Sequence, residues 1–152
     1  SRLRGSGLPM REAEVKRRLA EQLRAEGFLN LRVRYGQEPG IDIEAQFPDS
    51  RRWLYIEVKG TRPGGHETAS RRAALDEALW QIFSVYDGMA VCAIALPDTR
   101  GFRKLVQQIL TPLSQLCLHI LYVGEDELWH QAPNEPLPHR IASLKEALSI
   151  SA

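Results

Sequence analysis

The sequence predicts an α/β fold of three layers, with a central mixed β-sheet flanked by helices. Three observations predict it. The hydrophobic spacing is three-and-four over residues 9–27 and then switches to alternation between 28 and 58. Two later runs, Met89–Leu96 and Leu116–Val123, are continuously apolar and of strand length, as strands covered on both faces are. Segments of helical spacing separate these runs, which is the pattern of parallel crossovers.

Residues 1–8 (SRLRGSGL) are small, polar and basic, and read as a flexible lead-in. Residues 9–27 read as a helix. Pro9 is acceptable in a first turn, Leu8, Glu12, Val15, Leu19 and Leu23 share one stripe, and Gly27 stands where a helix stops. Charged residues, Lys16 among them, are expected to cover the other faces. Residues 28–35, 41–47 and 53–58 read as three strands joined by the turns GQEPG and PDSRR, hence an antiparallel meander. A Gly- and Pro-rich loop, 60–69, precedes a helix over 70–86. Pro97 stops the 89–96 strand, and 99–115 is helical with an interruption at Pro112. After the strand 116–123, residues 127–130 are expected to form a short edge strand. Residues 131–139 read as a linker and 140–149 as a last helix carrying Ile141, Leu144 and Leu148. The expected organisation is a lead-in (1–8), one domain (9–130) and a linker with a C-terminal helix (131–152).

With 152 residues, 43% hydrophobic and 26% charged, the chain has apolar area enough for one core, and disorder as its main state is excluded. No stretch approaches the ~20 apolar residues of a membrane helix, and no secretory signal is visible. Cys92 and Cys117 both lie in apolar runs, which suggests buried thiols and a cytosolic protein. Net charge is +1, but residues 1–72 carry +5 and residues 73–152 carry −4. Arginine predominates among the cations, and its planar fork suits phosphate. A basic first half hints at nucleic acid.

One set of charges points to chemistry. Glu57 and Lys59 are two apart on a strand and share a face, with Ile56 and Val58 on the other. If strands 41–47 and 53–59 pair antiparallel, Asp42 comes to the same end. Two carboxylates are hard ligands for Mg²⁺ (or Mn²⁺), and the Val58 carbonyl lies between as a third oxygen. A lysine beside such an ion orients a water or steadies charge on a phosphate. Glu12 has two readings, near the metal or simply solvated at the helix end. Glu44 shares the Asp42 face as a surface acid.

The helix ending in Gly27-Phe28, then Pro39-Gly-Ile-Asp42, then Tyr55-Ile-Glu57-Val-Lys59-Gly60, resembles the PD-(D/E)XK nuclease superfamily, which includes restriction endonucleases and Holliday-junction resolvases. The resemblance covers residues 9 to about 96. It implies a restriction-endonuclease-like fold and a Mg²⁺-dependent nuclease acting on DNA, with Asp42 as the first acid, Glu57 and Lys59 as the ExK pair and Glu12 as the helix acid. Ala78-Leu-Trp-Gln81-Ile-Phe-Ser-Val-Tyr86 resembles the glutamine-containing helix of several branches, which implies a positioning role for Gln81. Residues 57–130 also resemble XisH-type excision-controlling factors. The sequence departs from the pattern at Pro39, which stands three residues before the acid and not next to it.

Arg62, Arg71 and Arg72 flank the loop after the ExK strand and are candidate phosphate contacts, with His66 beside them. Trp53, Phe83 and Tyr86 read as core. His119, His130 and His139 show no ligand spacing. By analogy with nucleases that cut both strands, a homodimer is a candidate state. Two other readings stay open: a module on the same fold that binds nucleic acid without cutting it, and an assembly domain that packs on another protein.

Overall fold

The structure, a computed structural model, describes residues 10–61 and 67–149. Its elements run α1 (Glu12–Ala25), β1 (Leu29–Val33), β2 (Ile43–Gln46), β3 (Trp53–Val58), α2 (Glu67–Val85), β4 (Val91–Pro97), α3 (Arg100–Gln107), α4 (Leu110–Gln115), β5 (Leu118–Val123), β6 (Leu128–Gln131), β7 (His139–Ile141) and α5 (Leu144–Leu148). The fold is α/β, with one open, mixed sheet of seven strands whose spatial order is the chain order. The expected meander is present: β1–β2 and β2–β3 are antiparallel. The expected crossovers are present too. β3–β4 and β4–β5 are parallel, and α2 and then α3–α4 supply the long connections that parallel pairing needs.

Alternation along the strands builds two cores. Ile43, Ala45, Ile56 and Val58 face α1 (Val15, Leu19, Leu23) and α5 (Leu144, Leu148). Ile94, Ile120 and Tyr122 face Leu75, Ala78 and Ile82 of α2 and Phe102 and Val106 of α3. Every residue of β4 and β5 is buried, because helices cover both faces of the central strands.

Helix α1 ends as its sequence requires. Gly27 takes φ +83°, Phe28 N–H donates to Leu23 O at 3.1 Å and Gly27 N–H to Arg24 O at 3.0 Å. That pairing closes the helix and needs a left-handed residue, which glycine supplies without strain. The break expected at Pro112 falls slightly earlier, between α3 and α4 at residues 108–109. Proline has no N–H to return to the carbonyl four residues back, so the first helix cannot run through it.

Four expectations are corrected. Residues 127–130 are not an edge strand, because β7 pairs beside β6 through Leu128↔Ile141, Trp129↔Arg140 and His130↔His139. The last helix accordingly starts at Leu144, not at 140, and it packs onto α1. The Glu26 carboxylate fixes it there, accepting from Leu144 N–H and Lys145 N–H at 2.8 Å each and from Ser143 Oγ at 3.0 Å. Burial alone would raise the pKa of Glu26, but these donors together with Gln22 outweigh it and hold the carboxyl below its usual range. Third, Trp53, Phe83 and Tyr86 are not core: all three are exposed, and so is Trp80 at 73%. Trp80 and Phe83 lie on a side of α2 that turns away from Leu75, Ala78 and Ile82, so the apolar spacing of this helix runs around more than one side, and Tyr86 lies just past its end. Fourth, Cys92 is buried but Cys117 is exposed, in a turn at φ +56° just before β5. Among the described residues no helix is long and apolar enough to cross a membrane.

Candidate functional site

The β2–β3 ladder ends at Ile43↔Ile56, which leaves Asp42 beside Glu57 and Val58. The backbone of Asp42 is fixed from both sides. Its carbonyl accepts from Arg34 N–H at 2.8 Å, and the Arg34 guanidinium donates to the neighbouring Ile41 carbonyl at 2.8 Å. Arg34 also pairs with Glu44 and so holds the turn before Asp42. Glu44, expected as a surface acid, is half-buried in that pair.

The Asp42 side chain continues the ladder in place of backbone. Its Oδ2 accepts from Val58 N–H at 2.8 Å, while Asp42 N–H donates to Glu57 Oε1 at 3.3 Å. The convergence of Asp42 and Glu57 expected from the sequence is therefore present. The N–H and C=O of one strand residue point to the same side. The Val58 carbonyl thus lies on the edge that faces Asp42.

Glu57 is only 4% exposed. Burial first, and the Asp42 charge second, push its carboxyl up to about 8, against the opposing pull of Lys59 and the Asp42 N–H. Glu57 thus keeps its proton over the neutral range. Lys59, also buried, follows on the Glu57 face, and its ammonium pairs with Glu77 of α2. Glu77 is an addition that sequence reading missed. Gln81 stands one turn beyond it on α2, half-buried, its backbone carbonyl accepting from Ser84 Oγ at 2.6 Å.

Helix α1 closes the site from the other face of the sheet. Met10 carbonyl accepts from Thr61 N–H at 3.0 Å, and Gly60 lies directly against the backbone of Arg11 and Glu12. A Cβ at Gly60 would overlap that backbone, so the glycine after the ExK pair is what lets the helix start approach. Glu12 is neither buried nor isolated. Its side chain is 43% exposed and pairs at 3.1 Å with Lys16, one turn on.

Lys16 is the larger correction. It does not cover a solvent face of the helix but is 2% exposed. Its ammonium lies 3.1 Å from Asp42 Oδ1 and 3.1 Å from Glu12 Oε2, and donates to the Arg34 carbonyl at 2.6 Å. Burial would lower its pKa, but the Asp42 and Glu12 carboxylates outweigh that and hold it above the usual range. The signal was in the sequence as an acid and a base four apart on a helix, a spacing that places them together. That it was an inward-facing pair depended on the strand end beneath it, which no local pattern reveals.

The candidate phosphate contacts fall differently. Arg62 and His66 lie outside the described residues. Arg71 packs against Gly101 at the start of α3, and so ties α2 to α3. Arg72 is exposed, 3.4 Å from Asp76.

The donor set suits a hard cation: the Asp42 and Glu57 carboxylates and the Val58 carbonyl, all oxygen, meeting at one strand end. Among the described residues no group of three or more His, Cys, Asp and Glu converges as a ligand set, so the acidic donors are these two alone.

A second buried polar pair stands elsewhere. His119 Nδ1 and His130 Nε2 are 2.8 Å apart across β5 and β6, with the rings stacked. Burial, mainly, depresses both, His119 to about 3 and His130 to about 4. The eleven-residue separation shows no ligand spacing in the sequence, and only the β5–β6 register brings the rings together.

No family model matches the chain, and neither the curated proteins nor the solved structures compared with it include a match.

Proposed function

We propose that this chain is a Mg²⁺-dependent nuclease that hydrolyses phosphodiester bonds in DNA, on a restriction-endonuclease-like arrangement of its α/β fold. One observation carries the reading: Asp42 and Glu57, fifteen residues apart, meet at one strand end, where Asp42 N–H donates to Glu57 Oε1 at 3.3 Å. A Mg²⁺ ion with ~2.1 Å bonds takes one or two carboxylates and keeps several waters, which is what this donor set offers. Asp42, Glu57 and the Val58 carbonyl would hold it. The bound ion supplies charge neutralisation for the phosphate and lowers the pKa of a water.

The chain's own residues do the rest. The Asp42 carboxylate is held by Val58 N–H and Lys16, so it cannot swing away from the strand end. Lys59, held by Glu77, keeps a positive charge on the Glu57 face, where it steadies charge growing on a phosphate oxygen. Glu12 supports the site through Lys16. Gln81, one turn beyond Glu77, positions the α2 side. Arg72, exposed near the start of α2, is the described arginine best placed to reach a DNA backbone.

The test is cleavage of branched, duplex and single-stranded DNA with Mg²⁺ and with chelator. The native chain cuts at least one of these in Mg²⁺, and Asp42→Ala loses the activity by more than ~10²-fold. No cutting of any of them contradicts the proposal.

A second reading is a binding module that does not cut. The observation that favours it is Lys16, whose ammonium already neutralises Asp42. It predicts salt-sensitive DNA binding that is unchanged in Asp42→Ala and indifferent to Mg²⁺.

A further inference from the structure

Lys16 presents a problem of chemistry. A buried lysine is costly unless it is paired, and here three oxygens converge on one ammonium: Asp42 Oδ1 at 3.1 Å, Glu12 Oε2 at 3.1 Å and the Arg34 carbonyl at 2.6 Å. The Tyr35 ring stands 5.5 Å from it on a further side. Two carboxylates and a carbonyl are a hard-oxygen donor set of the same composition as the one formed by Asp42, Glu57 and Val58. The two sets share Asp42, which gives Oδ1 to Lys16 and turns Oδ2 toward Val58. Asp42 is thus a carboxylate whose two oxygens face two adjacent cation positions, and the chain fills one of them with its own side chain.

We propose that Lys16 is a positioning residue that occupies a second cation position, so the site takes one divalent ion and not two. The inference rests on the metal-dependent reading above. It deepens that reading by fixing the number of ions. The lysine is suited to the task. Its stem runs along the apolar stripe of α1 beside Val15 and Leu19, and the helix start is pinned against Gly60. Its head therefore arrives at a fixed point and not as a mobile surface charge. A fixed ammonium balances Asp42 and Glu12 without a second ion, and it leaves Glu57 and the Val58 carbonyl for the first.

The test counts bound Mn²⁺ per chain by electron paramagnetic resonance of the full chain, with and without uncleavable duplex DNA. The native protein binds one ion. Lys16→Met empties the position between Asp42 and Glu12 and binds two. Adding Glu12→Ala to Lys16→Met returns the count to one, because the second position then lacks a carboxylate. Lys16→Gln keeps a donor for the Arg34 carbonyl, carries the same expectation as Lys16→Met, and serves if the methionine variant does not fold. Two ions in the native protein, or one in both native and folded Lys16 variants, overturn the inference and leave the metal-centre reading standing. No ion in the native protein even with DNA present overturns the metal-centre reading itself, and the inference falls with it.

Discussion

Two buried polar clusters divide this sheet. At one end, Asp42, Glu57 and Lys16 gather charge where β2 gives out. Across β5 and β6, His119 and His130 form a buried, neutral pair. Both are costly to bury, and each meets the cost differently. The histidines bond one another, although His119 Nε2 has no hydrogen-bond partner among the described residues, and both stay uncharged, since burial depresses both. The carboxylates do not. Glu57 is left with its proton, and the set retains oxygen donors at the end of a strand. A pair of neutral rings buried between two strands is a structural fitting. A cluster that keeps carboxyl oxygens at a strand end has capacity for a ligand.

The contrast can be broken by mutation. Glu57→Gln has the largest expected effect at the acidic end. Cleavage falls by more than ~10²-fold, as for Asp42→Ala, while the metal-free protein becomes more stable. The sign follows from the direction of the shift. The folded-state pKa of Glu57 is raised from 4.5 to about 8, so its contribution is fully present below about 4.5 and is lost as pH rises through 8. Glu57→Gln therefore gains ~2–4 kcal/mol over the native chain at pH 8 and little at pH 4, read by urea unfolding in chelator. Equal stability of the two at pH 8 would remove the acid pair from this account. His119→Leu behaves oppositely. It leaves Mg²⁺-dependent cleavage within about twofold of native, because the pair is remote from the reacting end.

Gly60→Ala tests how the acidic end is built. Its Cβ would meet the backbone of Arg11 and Glu12, so α1 must shift, at ~1–3 kcal/mol in thermal unfolding. The shift also carries Glu12 and Lys16 from Asp42. A wild-type melting temperature would mean that α1 does not pack as described. The smallest effect belongs to the histidines. Their folded pKa values are depressed from 6.5, so stability is present above 6.5 and is lost as pH falls toward 4 and 3. Each ring contributes a slope of up to ~1.4 kcal/mol per pH unit, and His119→Leu should remove one such slope between pH 6 and pH 5.

Much of this was legible in the sequence. Alternation in Ile41–Phe47 and Trp53–Val58, with a short turn between, is enough to place Asp42 beside Glu57, because antiparallel pairing fixes the register. The continuous apolar runs gave the covered central strands β4 and β5. What the sequence did not show depends on contacts between distant segments. Lys16 looks like any charge on an amphipathic helix until a strand end lies beneath it. Glu77 belongs to the site only because α2 returns over β3. Strand β7 is three residues long and has no pattern of its own, yet it removes β6 from the edge. The aromatic residues of α2 were misread because apolar character predicts burial only where a partner element exists. Trp80 and Phe83 point to solvent, and Tyr86 reaches the Leu116 carbonyl with its hydroxyl.

The measurement that bears most directly on the metal centre is calorimetric titration of Mg²⁺ into the native chain and into Asp42→Ala, repeated with uncleavable DNA. The native chain should bind one ion, with proton release near neutral pH as Glu57 gives up its proton, and Asp42→Ala should bind none. Binding that persists unchanged in Asp42→Ala, or no binding by the native chain even with DNA present, would contradict the metal centre.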